Sequence, residues 1–309
     1  MRPPGPILTV GELTLDDVVV EDEDVDWKQP GGGALYSAVG ATLWGGETAI
    51  CSTVGRDYPD ELLGELRYAG IDTSAVRRTT DCDSLGLWLL YETSGARHQV
   101  EKRAGGTFQQ LDALRPRASE LATVPVGVHL APQSSDGHAA ALEDFRDSPA
   151  LVTLDLLVEP YLDAAPYTEP DFLAGVDAFL PSTAEVLELW GHADTRAVRK
   201  ELSRLGFDGV LVIKRGPQGV DVALAGDVVR VPAPAVDVLD VTGAGDAFCG
   251  GFLACLLATC DPVAAAAHGV VSASFVVETR GAVAALASLD DQRAAARLDR
   301  VLKSLGAAP

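Results

Sequence analysis

Between residues 126 and 213 short apolar runs alternate with helical stretches, and this alternation constrains the fold more than any other feature of the chain. The runs are Val126 to Leu130, Leu151 to Leu156, Ala178 to Leu180 and Gly209 to Ile213; the helical stretches include Ala139 to Phe145, Glu185 to Trp190 and Thr195 to Leu205. Short, nearly continuous apolar strands separated by helices predict an α/β fold, with a mostly parallel central sheet covered by helices on both faces. Ile7 to Val10, ending at Gly11, is read as the first core strand and Thr48 to Val54 as another, with Asp60 to Tyr68 an amphipathic helix closed by Gly70. No repeat, low-complexity segment or long linker divides the 309 residues, of which 47% are hydrophobic, so one domain over residues 1–309 is expected.

Acidic residues outnumber basic ones 45 to 24, giving a formal charge of -21, and neither nucleic acid nor an anionic membrane surface is an expected partner. The five cysteines (Cys51, Cys82, Cys249, Cys255, Cys260) are odd in number and lack C-x-x-C pairing, which suggests reduced thiols in a cytoplasmic protein. Met1 to Pro6 lacks an apolar segment like that of a signal peptide. Ala247 to Cys260 is apolar, but Asp261-Pro262 interrupts it well short of the ~20 residues of a membrane span. The histidines are scattered without metal-ligand spacing, and His268, alone in an alanine-rich helix, reads as structural.

Around this body lie polar features that suit either a surface or a site. Glu12, Thr14, Asp16 and Asp17 follow the first strand, where α/β sheets bind ligands and where solvated turns also occur. Val18-Val19-Val20 and the acidic Glu21 to Asp26 suggest a strand leaving the body. Ser84 to Tyr91 and Arg97 to Lys102 bracket Thr93-Ser94-Gly95 in a hairpin pattern, which with the Val18 strand would suit a small sheet within about residues 14–30 and 82–103, though the sequence alone shows only the hairpin. Arg103, at the hairpin exit, is read as a surface cation or as a contact to substrate or transferred phosphate. Asp155 and Glu185 suit helix capping as well as a site. Gly31-Gly32-Gly33 opens a helix to about Leu43, and Gly216-Pro217-Gln218-Gly219 turns into a hairpin of Val220 to Leu224 and Val228 to Val231.

The most chemical stretch is Asp240 to Gly251. An apolar lead-in (Val236, Val238, Leu239, Val241), read as a strand or extended segment, runs into Thr242-Gly243-Ala244-Gly245-Asp246 and a helix-compatible run, Ala247 to Thr259. N–H groups at a helix start lack intrahelical partners and favour an anion, and Gly243 and Gly245 leave room for a phosphate to approach them. Asp246 places a carboxylate beside that cradle, the pair of features that phosphoryl transfer to a hydroxyl requires. The same pattern also permits tight packing with a capping acid.

Asp240-Val241-Thr242-Gly243-Ala244-Gly245-Asp246-Ala247-Phe248 closely resembles the C-terminal signature of the ribokinase/PfkB sugar kinase family, and the resemblance extends over essentially the whole chain. It implies a ribokinase-like fold with a β-sheet lid and an ATP- and Mg2+-dependent kinase acting on a hydroxyl of a small sugar, polyol or cyclitol. A homodimer through the lid is also implied. By position, Asp246 is implied as general base and Gly243, Ala244 and Gly245 as the anion hole for the γ-phosphate. Lys214, Gly216, Gly219, Thr242 and Gly245 would lie along ATP, and Asp16, Gly32, Gly33, Tyr36, Arg103 and Asp155 would hold the acceptor. Glu185 would organise magnesium-bound water, Asp240 would contact a monovalent cation such as K+, and Thr279-Arg280-Gly281-Ala282 matches a turn under the adenine.

Two positions depart from the family pattern. Tyr36 and Ser182 stand where the family usually has Asn, the latter in an N-x-x-E element. With Lys102-Arg103, these replacements are similar to the myo-inositol kinase branch. Tyr36 also suits stacking on a nucleoside base, the alternative acceptor. A non-catalytic sugar or nucleotide sensor on the same fold is the alternative of another class, opposed by the intact Asp246 and Glu185. No G-x-G-x-x-G follows the first strand, which argues against a dinucleotide-dependent dehydrogenase.

Overall fold

The computed structural model describes residues 5–92, 97–224 and 226–306; the expected Thr93-Ser94-Gly95 turn and Met1 to Pro4 lie outside them. Its strands are β1 (Ile7–Val10), β2 (Thr14–Val20), β3 (Asp26–Gly31), β4 (Thr48–Val54), β5 (Ile71–Arg78), β6 (Leu87–Tyr91), β7 (Arg97–Glu101), β8 (Gly127–Leu130), β9 (Leu151–Leu154), β10 (Ala178–Phe179), β11 (Val210–Lys214), β12 (Val220–Leu224) and β13 (Asp227–Val231). Nine of them form one sheet in the order β13-β12-β11-β10-β9-β8-β1-β4-β5. From β11 to β5 all neighbours are parallel, and β12 and β13 add an antiparallel edge. The strand order reverses beside β1, so a crevice opens at the carboxyl ends of β1 and β8, where such sheets bind ligands.

Period-two alternation builds a core on each face. Ala178, Leu180 and Val212 point to the layer containing the Ala244–Thr259 and Pro262–Val276 helices; Phe179, Leu211 and Ile213 point to the layer of Ser135–Phe145, Thr183–Trp190 and Thr195–Arg204. The Gly33–Thr42 and Ala244–Thr259 helices cross with their backbones in contact. A Cβ on Gly250 would lie 1.8 Å from the Ser37 carbonyl oxygen, and one on Gly40 2.0 Å from that of Ala247. That glycine crossing sets the two glycine-rich helix starts side by side.

The four remaining strands form the small sheet β3-β2-β6-β7, which is mixed because β2 and β6 run parallel. Of the two forms expected for the lead-in of Val236 to Val241, the non-strand one is found: residues 232–243 form no strand. Two details differ from the sequence reading. The catalytic-type helix begins at Ala244 rather than Ala247. β5 was not anticipated; as an edge strand it ends in Arg77-Arg78 and shows only a short alternation, a weak signal for a strand. Among the described residues no helix is long and apolar enough to cross a membrane.

Candidate active site

A cavity of about 690 Å3 runs between the small sheet and the carboxyl ends of the large one. Its centre is the start of the Ala244–Thr259 helix, capped by Gly243 at φ 74°. Gly243 is required there twice over: the left-handed backbone favours glycine, and a Cβ would sit 2.1 Å from Cγ of Tyr36. The Ala244 N–H closes a turn onto the Val241 carbonyl at 3.2 Å, so the anion cradle rests on N–H groups deeper in the first turn. Asp246 lies in that turn and lines the cavity. Its carboxylate reaches the other helix start, where a Cβ on Gly33 would come within 2.9 Å of Oδ1.

On the acceptor side, Asp16 of β2 is buried, its Oδ1 accepting from the Leu87 N–H at 3.0 Å and its Oδ2 from the Thr14 hydroxyl at 2.8 Å. Burial raises its pKa to about 7, against the pull of those two hydrogen bonds. Gly31 makes room for this carboxylate, and Gly32, at φ 102°, passes over the Glu12 carbonyl where a Cβ would be 2.1 Å away. Asp17 belongs to the base of the small sheet instead, paired with Lys102 Nζ at 2.7 Å. Arg103 is exposed and does not line the cavity; its neighbour Lys102 is the residue that turns inward. Leu87, Leu89, Phe108, Leu156 and Leu157 form an apolar wall on this side, with Gln99 as its polar group. Phe108 stacks on Tyr161, whose hydroxyl accepts from Gln99 Nε2 at 2.9 Å. None of this wall was foreseen, because alternating strand leucines read the same whether they face a core or a ligand.

Between the two helix starts and β11 lies a buried charged cluster. Lys214 Nζ contacts Asp155 Oδ2 and stands 3.4 Å from where a Cβ on Gly245 would be, beside the cradle. Burial is the largest influence on Lys214 and opposes its charge, but Asp155, Cys249, Glu185 and Asp246 together outweigh it and the pKa is raised. Burial pushes Asp155 up to about 6 against the pull of Lys214. Glu185 is raised to about 7, first by burial and then by the charge of Asp155. Ser182 N-caps the Thr183–Trp190 helix: its hydroxyl accepts from the Glu185 N–H at 3.3 Å while Glu185 Oε2 accepts from the Ser182 N–H at 2.5 Å. The S-x-x-E spacing is therefore a capping box that also holds Glu185 at the cavity wall.

Several expected residues have other employment. Tyr36 is buried with its ring against Gly243 and also lines the cavity. Asp240 does not line the cavity; its Oδ1 accepts from both the N–H (2.9 Å) and the hydroxyl (2.6 Å) of Thr242. Among the described residues no group of three His, Cys, Asp or Glu side chains could hold a metal ion. Gly216 and Gly219 line the far end of the cavity with Val236, Val238 and Val277, and Arg280 of the closing turn pairs with Glu23 at 2.7 Å rather than facing the cavity. His268 packs edge-on against Trp44, with ring centroids 4.3 Å apart, and is structural.

A glycine-rich helix start, an adjacent carboxylate and a cavity beneath a small sheet suit phosphoryl transfer to an alcohol group. Residues 7–288 match the pfkB family carbohydrate kinase, and the chain belongs to that family. It is a sugar or nucleoside kinase. The chain is 27% identical over 302 residues to a fructokinase of Klebsiella pneumoniae, covering 93% of this chain and 98% of the relative. It is 25% identical over 254 residues to a cytidine kinase of Thermococcus kodakarensis, covering 80% and 87%. The structure of aminoimidazole riboside kinase from Salmonella enterica, complexed with aminoimidazole riboside and an ATP analogue, superposes with a TM-score of 0.73 at 22% identity, covering 95% of this chain and 99% of that one.

Proposed function

We propose that the protein transfers the γ-phosphoryl group of ATP to a hydroxyl of a riboside, a ribose ring carrying a flat base, with Asp246 as general base. The single observation that carries the acceptor class is the division of the pocket: Asp16, Gly32 and Gly33 at one end, and the Leu87, Leu89, Phe108, Leu156 and Leu157 wall at the other. Sugar hydroxyls suit the first and an apolar ring the second. The names of the cytidine and aminoimidazole riboside kinases support the same reading. The fructokinase relative and the Asp16 end support a free sugar as the second reading. Tyr36 and Ser182 have structural roles, in the Gly243 contact and the capping box, besides lining the cavity, so their identity does not by itself favour an inositol acceptor.

In this mechanism Asp246 accepts the proton of the attacking hydroxyl, whose oxygen forms the new bond to phosphorus as the bond to the β-phosphate oxygen breaks and ADP departs. First-turn N–H groups and Lys214 stabilise the charge on the transferring group. Glu185, which lines the cavity near Asp155 and Asp246, would hold Mg2+ through water, with ATP supplying most of the remaining ligands; among the described residues no group of three His, Cys, Asp or Glu side chains would cage the ion without them. The ion would neutralise phosphate charge.

The acceptor class is tested by ADP release with nucleosides, ribosides, ribose, fructose and myo-inositol. A base resting on the wall should raise kcat/KM over ribose by about tenfold or more, the equivalent of ~1.4 kcal/mol of apolar burial. Fructose or myo-inositol as the best acceptor would sink the riboside reading. Lys214→Met is expected to lower kcat by about 100-fold, a typical loss for one charge-stabilising donor. Activity within threefold of the parent, in a variant of unchanged melting temperature, would remove Lys214 from the mechanism.

A further inference from the structure

Tyr91 ends β6 on the small sheet, and its hydroxyl is within hydrogen-bond distance of Thr242 Oγ1, across 151 residues of sequence. Proton accounting gives this contact a direction. Thr242 has one hydroxyl proton, and it lies 2.6 Å from Asp240 Oδ1, an oxygen that can only accept when ionised. The Thr242 N–H goes to the same oxygen at 2.9 Å. Thr242 Oγ1 is therefore the acceptor and Tyr91 the donor, in a chain running from Tyr91 through Thr242 to Asp240. The Asp240 backbone is itself held, its N–H donating to the Val277 carbonyl at 3.2 Å. Thr242 directly precedes Gly243, the cap of the helix that carries Asp246. A second contact joins the same sheet to the body, the ion pair of Glu23 with Arg280 at 2.7 Å.

We propose that Tyr91 is a positioning residue for phosphoryl transfer: its hydroxyl fastens Thr242, and so the Asp240 to Gly243 turn, in the shape that aims the helix start at the phosphate. It rests on the reading of Asp246 and the helix start as the catalytic centre. The small sheet borders the cavity, and this contact ties its strand end to the turn before the helix start. Phosphoryl transfer to water in an open site is suppressed by the same contact.

The test is Tyr91→Phe in the full chain, with kcat, both KM values, and ADP release measured with and without acceptor. One lost hydrogen bond in the reactive arrangement should lower kcat about tenfold. ADP formed per acceptor phosphorylated should rise severalfold, with the KM for ATP and the melting temperature unchanged. Thr242→Ser keeps the hydroxyl and should retain kcat within about threefold, whereas Thr242→Val combined with Tyr91→Phe should cost less than the product of the single losses. A Tyr91→Phe enzyme with kcat within twofold of the parent and an unchanged ADP ratio overturns the proposal. If that variant fails to fold, the Thr242→Ser and Thr242→Val pair decides: equal kcat in the two refutes it. Retained turnover in Asp246→Asn would instead refute the underlying catalytic reading, so the two failures are distinguishable.

Discussion

Asp246→Asn is expected to lower kcat by about 10^4, the upper end for loss of a positioned general base, while ATP still binds with affinity near that of the parent. The expectation follows from geometry. The side chain is in the first turn of the Ala244–Thr259 helix, lines the cavity and lies against Gly33 at the start of the acceptor helix. Asn keeps the size and the hydrogen-bonding reach but cannot accept the hydroxyl proton. The chemical step should fail while the cradle, built from backbone, persists. Coupled ADP release and calorimetric nucleotide binding separate these two effects. Turnover within tenfold of the parent would mean that another group takes the proton.

Gly243→Ala is the second large effect, on both stability and activity. The new methyl would meet Tyr36 at 2.1 Å and would stand on a backbone with φ 74°, so the strain of a left-handed alanine adds to overpacking against a buried ring. Together these should cost roughly 3 to 5 kcal/mol and displace the helix start, with most activity lost even in the folded fraction. Gly245→Ala is the internal control. There the added Cβ meets the flexible end of Lys214 at 3.4 Å, so the fold should tolerate it. Chemical denaturation of the two variants checks the contrast. Equal stabilities would show that Tyr36 can move aside, and that the packing account of Gly243 is wrong.

These two positions also mark how far local sequence reaches. The glycines around Asp246, and the three before Ala34, announce themselves because helix starts and close approaches need them whatever surrounds them. The core strands are similarly local, since a strand buried on both faces is apolar at most positions, as Leu151–Leu154 and Val210–Lys214 are. Residues 232–243 left strand and extended segment open because apolar content there serves the cavity wall rather than a ladder, Val236, Val238 and Val241 lining it without strand partners. Arg103 and Lys102 differ by one place, yet Lys102, just past β7, reaches the Leu15 carbonyl, while Arg103 enters the bend that follows and is exposed.

Taken alone, the sequence determined the α/β class and the family and singled out Asp246 as the candidate base, because each is written in short-range pattern: strand length, helix-start glycines and a nine-residue signature. Only the tertiary structure decided what surrounds that residue. Lys214 meets Asp155 across 59 residues, Tyr91 meets Thr242 across 151, and Tyr36 lies under Gly243. The physical reason is that burial and side-chain direction, not residue type, set a group's partners and its charge. Those are fixed when the sheet and the two crossing helices bring distant segments to one cavity.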